Sequence, residues 1–181
     1  MTGTASARPF ENSDAGRLLM NSVQYLSMAN LVYETETYRN NPLRYNRPIL
    51  NSLAIGIELL LKFSYVHHGM AVDAVARAYR HNIWKLWEDC PEPSLANLTF
   101  EAAKQSYSDA LAQGMAEPSD DLRAEFGRAL RNLSNLHTTG GSQLRYLAPP
   151  DVMATRPGWL IETYFKVAMA CLHRPPFGPR P

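Results

Sequence analysis

The chain has 181 residues, of which 45% are hydrophobic, and 18 Lys and Arg residues face 17 Asp and Glu residues for a net charge of +1. This length and hydrophobic content predict one folded domain with a single core and exclude a largely disordered protein. The near-zero net charge excludes a surface that is basic throughout, so any surface that binds nucleic acid must be local.

Membrane and metal signatures are absent from the sequence. No uninterrupted run approaches the roughly 18 apolar residues of a membrane span, and the first residues lack the apolar segment of a signal peptide. Cys90 and Cys171 lie far apart, with no Cys or His spacing typical of a zinc site. We therefore expect a cytoplasmic protein with no membrane contact, no disulfide framework, no metal and no cofactor.

Apolar residues recur every three or four positions in several long windows, which predicts an all-α protein. Ser13 and Ser119 suit the capping position before a helix, and Pro48 and Pro157 suit a first helical turn. In chain order the pattern predicts helices over residues 14–40, 48–69, 72–79, 81–88, 99–114, 120–139 and 157–172.

The remaining segments complete the predicted domain organisation. Residues 1–12 are predicted to be disordered, and residues 13–173 to form a single helical domain. A short extended segment is predicted at about 142–148, and residues 174–181 form a Pro-rich tail that cannot continue a helix.

Three segments in this order resemble a known helical domain. The first is GIELLLK (56–62), which is followed by His68 and Gly69, the second is YRHNIWKLW (79–87), and the third is LRYLAP (144–149). Together they resemble bacterial HEPN proteins, named for a "higher eukaryote and prokaryote nucleotide-binding" domain. That family has a Glu-x-x-x-Lys helix ending at Gly, then a His-Asn-type helix and, in some branches, a late Arg-Tyr-Pro.

The resemblance covers about residues 48–150 and implies an up-and-down helical bundle, frequent homodimerisation and a role that involves RNA or nucleotides. Many members of the family resemble metal-independent endoribonucleases that act as toxins with an antitoxin partner or as effectors of phage defence. Others are non-catalytic modules for binding or assembly. Both functions are open at this point.

The segment RNLSNLH (131–137) matches the Arg and His spacing of the nuclease members. The resemblance implies that Arg131 holds a phosphate, that His137 is the general acid or base, and that Asn132 orients the substrate or the histidine. Six positions turn a helix through about 600°, so Arg131 and His137 point about 120° apart. A two-fold dimer would bring two such pairs to one groove.

A structural role for His137 is the alternative. This residue continues the apolar seam of Phe126, Leu130 and Leu133 along the same predicted helix. A histidine on that seam would be a hydrogen-bonded residue of the core or of the helix end, where its charge also complements the helix dipole.

Glu58 and Lys62 lie four positions apart on the second predicted helix and can form an ion pair. If Glu58 faces the core, it needs His81 or Arg145 as a partner, because an unpaired buried carboxylate is costly. In a non-catalytic member, these residues and Tyr146 would form a structural polar network.

Two stretches of the chain contain no acidic residue and are candidate RNA-binding surfaces. Residues 126–150 include Arg128 and Arg145, which predicts a basic surface on an otherwise neutral chain. The other stretch, residues 38–47, alternates tyrosines with basic residues in a pattern that suits single-stranded RNA. Its basic residues are Arg39, Arg44 and Arg47. The alternative for this stretch is a solvated connector between helices.

Overall fold

The computed structural model describes residues 10–138, 144, 154 and 156–173, and these residues form an all-α helical bundle without a β-strand. The predicted fold class is therefore confirmed. The described part of the chain contains the α-helices α1 (Asp14–Tyr33), α2 (Glu36–Asn40), α3 (Pro42–His67), α4 (Val72–Tyr79), α5 (Ile83–Glu88), α6 (Pro93–Ala112), α7 (Leu122–Thr138) and α8 (Pro157–His173).

Helix α3 is the central helix of the bundle. It packs most extensively against α1 and also contacts α5, α7 and α8. Gly56 on α3 allows a close approach to α1, because a Cβ atom there would lie only 2.6 Å from Cγ of the fully buried Leu26. At the same crossing, the hydroxyl of Ser22 donates a 2.8 Å hydrogen bond to the carbonyl of Gly56. Small residues therefore set the distance between α1 and α3, the two helices that pack most extensively against each other.

Aromatic side chains join α8 to the other side of the bundle, where α8 packs against α1 and α6. The indole of Trp159 donates a 2.8 Å hydrogen bond to the carbonyl of Ala103 on α6. Its ring and that of Tyr164 both contact Phe126 on α7, with centroid separations of 5.3 and 6.1 Å. Buried Leu160, Tyr164, Val167 and Cys171 lie on the face predicted for this helix.

Two predicted helix starts are wrong because an earlier proline begins the helix. Helix α3 starts at Pro42 instead of Pro48, and Pro48 lies inside the helix. Helix α6 starts at Pro93, after an N-cap in which the Glu92 side chain accepts a 2.9 Å hydrogen bond from the amide of Ser94. Proline fits the first helical turn at several positions, so its preference alone does not select one of them.

Two further predicted helix boundaries are wrong because a side chain caps the helix at another position. The predicted first helix is divided after Tyr33, because the hydroxyl of Thr35 accepts a hydrogen bond from the amide of Tyr38 and caps the short helix α2. At α7, Asp121 rather than Ser119 makes the capping contact, as its carboxylate accepts a 2.9 Å hydrogen bond from the amide of Ala124.

The chain ends lie only partly within the described residues. Residues 10–12, which belong to the segment predicted to be disordered, form a 3-10 helix. The ring of Phe10 contacts Phe63 of α3 edge-on, with centroids 6.3 Å apart, and this apolar contact orders the segment. Apart from the buried Leu144, the predicted extended segment at 142–148 lies outside the described residues, as does the tail at 174–181.

Among the described helices, α3 is long and apolar enough to cross a membrane, although no uninterrupted apolar run marks it in the sequence. However, 72% of its most apolar window is buried inside the bundle. This burial is typical of the core helix of a folded domain.

We predict that Gly56→Ala destabilises the protein. The overpacking against Leu26 is expected to cost about 1–3 kcal/mol, which exceeds the gain in helix propensity of roughly 1 kcal/mol. Gly127→Ala is the matched control, since a Cβ atom there meets Trp84 at an ordinary 3.6 Å. Thermal unfolding should show a lower Tm for Gly56→Ala and an equal or higher Tm for Gly127→Ala. Equal changes in both variants would contradict the packing argument.

Candidate functional site

A buried carboxylate on α3 is the centre of a cluster of ion pairs and hydrogen bonds. Glu58 is only 6% exposed. Its Oε1 atom lies 2.5 Å from Nζ of Lys62, one turn along the same helix. Its Oε2 atom lies 2.8 Å from Nε2 of His137 and 3.1 Å from Nδ1 of His81. We call Glu58, Lys62, His81 and His137 the Glu58 cluster.

The cluster gathers residues from three parts of the chain. Lys62 comes from α3 itself, His81 from the turn between α4 and α5, and His137 from the last turn of α7. The turn that carries His81 bends sharply, as Arg80 has a positive φ of 49°. The hydroxyl of Thr138 holds this turn against α7 by donating a 3.1 Å hydrogen bond to the carbonyl of His81.

Helix α5 is also anchored to α7 by hydrogen bonds. The amide of Trp84 donates a 2.9 Å hydrogen bond to the hydroxyl of Ser134. That hydroxyl in turn lies 3.3 Å from the side-chain oxygen of Asn82, the N-cap of α5. The backbone around His81 and Trp84 is therefore fixed from the α7 side.

Glu58 is ionised at neutral pH. Burial alone would raise the pKa of this carboxyl group, because it disfavours the charged form. The hydrogen bonds from His137, Lys62 and His81, with the positive charge of Lys62, outweigh burial and lower the pKa of Glu58 to about 2. Because an ionised carboxylate only accepts hydrogen bonds, Nε2 of His137 carries a proton.

The predicted catalytic residues do not share an exposed groove. The side chain of His137 is completely buried against Glu58. Arg131 is exposed, and its guanidinium lies 4.1 Å from the ring centroid of Trp84 on α5. Asn132, which follows Arg131 on α7, is half-buried. The expected Arg and His pair is thus divided between a surface and the core, because His137 follows the apolar seam of α7.

The exposed Arg131 and the half-buried Trp84 instead form part of a surface on α5 and α7. The Trp84 ring lies beside Gly127 of α7, and a Cβ atom at that position would be 3.6 Å from the ring. Arg128 is exposed on the neighbouring turn of α7. Residues 126–138 contain no acidic side chain. We call Trp84, Arg128 and Arg131 the Trp84 surface.

The second predicted RNA-binding stretch is helical and only partly open to solvent. Arg39 is exposed on α2 and Arg44 on the first turn of α3, whereas Arg47 is half-buried. Tyr38 is buried, and its hydroxyl donates a 2.9 Å hydrogen bond to Asn46. The stretch lies almost entirely in α2 and α3 and is not a connector between helices, although residues 39–44 are exposed. Tyr38 packs in the fold instead of offering a face to a base.

Arg145 and Tyr146, predicted as an RNA-binding residue and a network residue, lie outside the described residues.

A cleft of about 610 Å³ lies away from the Glu58 cluster, between α1, α2, α6 and α8. Aromatic side chains and Arg156 line it. The guanidinium of Arg156 is engaged in a 2.7 Å ion pair with Glu125.

Two contacts of the site could not be read from the sequence. Glu58 and His137 are 79 residues apart in the chain, and the only signal for their contact was that a buried Glu58 needs a partner. The pairing of Arg131 with Trp84 joins helices whose relative placement the helical pattern does not specify.

Comparison with known proteins adds no further assignment. The chain matches no protein-family model, no curated protein and no solved structure. The HEPN-like resemblance therefore rests on the sequence segments alone and stays a prediction.

We predict that Glu58→Gln strongly destabilises the protein. Removing one partner of a buried charge pair leaves Lys62 with an unpaired charge, which typically costs about 3–5 kcal/mol. Glu101→Gln is the matched control, because Glu101 pairs with Lys104 in an exposed ion pair, a type worth at most about 1 kcal/mol. Urea unfolding of both variants measures the difference, and two equally small losses would contradict a structural role for the cluster.

Proposed function

We propose that this chain is a HEPN-like module that binds RNA and does not cleave it with Arg131 and His137. The observation that carries this proposal is the division of the two residues: His137 is fully buried on Glu58, and Arg131 is exposed over Trp84. A ribose hydroxyl cannot reach an imidazole with no exposed surface. His137 therefore serves the bundle, and Arg131 is left for a ligand.

The chemistry of the Trp84 surface supports single-stranded RNA as the ligand. A guanidinium forms paired hydrogen bonds to phosphate oxygens, and an indole ring or a guanidinium plane stacks on bases. Arg128 adds a second positive charge on an acid-free segment. A local surface of this kind suits a chain whose net charge is only +1.

The exposed Arg39 and Arg44 support a second contact region. Arg44 lies 5.7 Å from the ring centroid of its neighbour Tyr45, so a cation and an aromatic ring again lie together. Single-stranded nucleic acids commonly run along a groove that alternates such groups.

The wider setting of the proposal rests on the resemblance. It includes a cytoplasmic protein that forms a homodimer and acts beside an antitoxin or effector partner. A two-fold dimer would present the Trp84 surface twice and so allow one RNA strand to engage two sites.

We predict that Arg131→Ala weakens RNA binding roughly tenfold, since one stacked contact contributes about 1–3 kcal/mol. The slope of log K against log salt should also fall by about 0.7, the loss of one phosphate contact on a single strand. Fluorescence anisotropy with a labelled single-stranded RNA measures both. Arg123→Ala is the matched control, because Arg123 lies on the same helix, 4.0 Å over the ring of Phe100. Equal losses in the two variants would contradict a specific role for the Trp84 surface.

We also predict that the protein leaves RNA intact in EDTA. The expected outcome is the same full-length RNA on a denaturing gel with the wild type, Arg131→Ala and His137→Gln. Circular dichroism establishes that each variant is folded. Cleavage by the wild type that is lost in a folded Arg131→Ala or His137→Gln variant would refute the non-catalytic proposal.

A further inference from the structure

The Glu58 cluster contains three donor atoms of the kinds that bind transition metals. Oε2 of Glu58 contacts Nδ1 of His81 and Nε2 of His137, and one ligand atom from each of the three residues lies within 4.8 Å of the other two. We propose that these three residues form a binding site for a first-row divalent transition metal ion, with Zn²⁺ as the representative ion. The site is independent of the proposed RNA-binding surface.

The donor set selects the class of ion. Two imidazole nitrogens and one carboxylate oxygen are ligands typical of Zn²⁺ and its neighbours in the first transition row. Mg²⁺ and Ca²⁺ prefer sites made of oxygen atoms. The cluster therefore favours a transition metal over either of these ions.

The separations in the cluster are close to those that a bound ion requires. Around a tetrahedral ion with ligand bonds of about 2.0–2.2 Å, donor atoms lie about 3.4 Å apart. The carboxylate oxygen is 2.8 Å from His137 and 3.1 Å from His81. These two separations need to open by only a few tenths of an ångström. One ligand nitrogen of His81 and one of His137 lie at most 4.8 Å apart.

The two rings can converge on one ion. Their centroids are 5.6 Å apart, and their planes are nearly perpendicular at 83°. Both rings direct a nitrogen at the same oxygen atom of Glu58. An ion would take the place of the protons that now lie in these two contacts.

The cluster can be reached from solvent without breaking the contact of Lys62. Lys62 occupies the other carboxylate oxygen, Oε1, so an ion on Oε2 breaks no contact of Lys62. The side chain of His81 is 53% exposed, which opens the cluster to solvent on one side. Three protein ligands with further positions open to water are typical of catalytic rather than structural zinc sites.

One feature limits the expected affinity. Nδ1 of His137 is buried and has no hydrogen-bond partner among the described residues. When Nε2 binds a metal, Nδ1 carries the proton, and the loss of a partner there typically lowers metal affinity about 10–100-fold.

Calorimetric titration of the full chain, without a histidine tag and after chelator treatment, tests the proposal with Zn²⁺ as the probe. The wild type should bind one Zn²⁺ ion, and His81→Ala should weaken binding at least about tenfold. His81 is half exposed, and circular dichroism establishes that the variant is folded. His68→Ala is the matched control, since His68 is a part-exposed histidine paired with Glu92, and it should bind as the wild type does.

Co²⁺ provides an independent readout. Its visible absorption is intense in a tetrahedral site and weak in an octahedral one, so the wild type should develop visible bands that His81→Ala lacks. Mg²⁺ should produce no saturable heat. The proposal is overturned if Zn²⁺ fails to bind saturably or binds equally to the wild type and His81→Ala. It is also overturned if His68→Ala rather than His81→Ala loses binding, which would place the ion near Cys90 and Glu92.

Discussion

The negative charge of Glu58 has to be balanced inside the bundle, and much of the arrangement of α3, α5 and α7 follows from this constraint. A carboxylate that is 6% exposed is stable only with partners of opposite charge or with hydrogen-bond donors. Lys62 supplies a charge from the same helix, but it satisfies only one oxygen. The other oxygen brings together the α4–α5 turn, through His81, and the end of α7, through His137. Three segments distant in sequence are thereby joined at one atom.

The same constraint determines which side chains remain for a ligand. Once the imidazole of His137 faces Glu58, the part of α7 that carries Arg131 must face outward, because six helical positions separate the two directions by about 120°. The turn that presents His81 also begins α5, whose Trp84 amide is bonded to Ser134 of α7. The indole therefore lies beside α7, within reach of the guanidinium of Arg131. The contact between His137 and Glu58 inside the bundle and the position of Arg131 over Trp84 at its surface thus depend on the same packing of α5 against α7.

The helical periodicity was sufficient to predict the fold class and most helices, because amphipathic patterns are local. The bounds of α4 and the start of α8 follow from the sequence for this reason. Boundaries failed where competing capping groups lie within a few residues, as at Pro42 and Pro48, or where a side chain such as Thr35 bonds to the backbone. The candidate site was predicted only in part. The sequence analysis names His81 as a partner of a buried Glu58, and the structure shows this contact, whereas the contact with His137, 79 residues away, has no local signal.

The arrangement around Glu58 also explains why the sequence does not predict a metal site. Metal motifs are recognised when two ligands lie a few residues apart, whereas the three donors here come from α3, the α4–α5 turn and α7. Each donor already has a sufficient structural role as part of an ion pair or hydrogen bond. The geometry that neutralises a buried carboxylate is close to the geometry that holds a divalent ion, since in both cases two imidazole nitrogens converge on one carboxylate oxygen. Protons lie between these atoms in the first case, and the ion replaces them in the second.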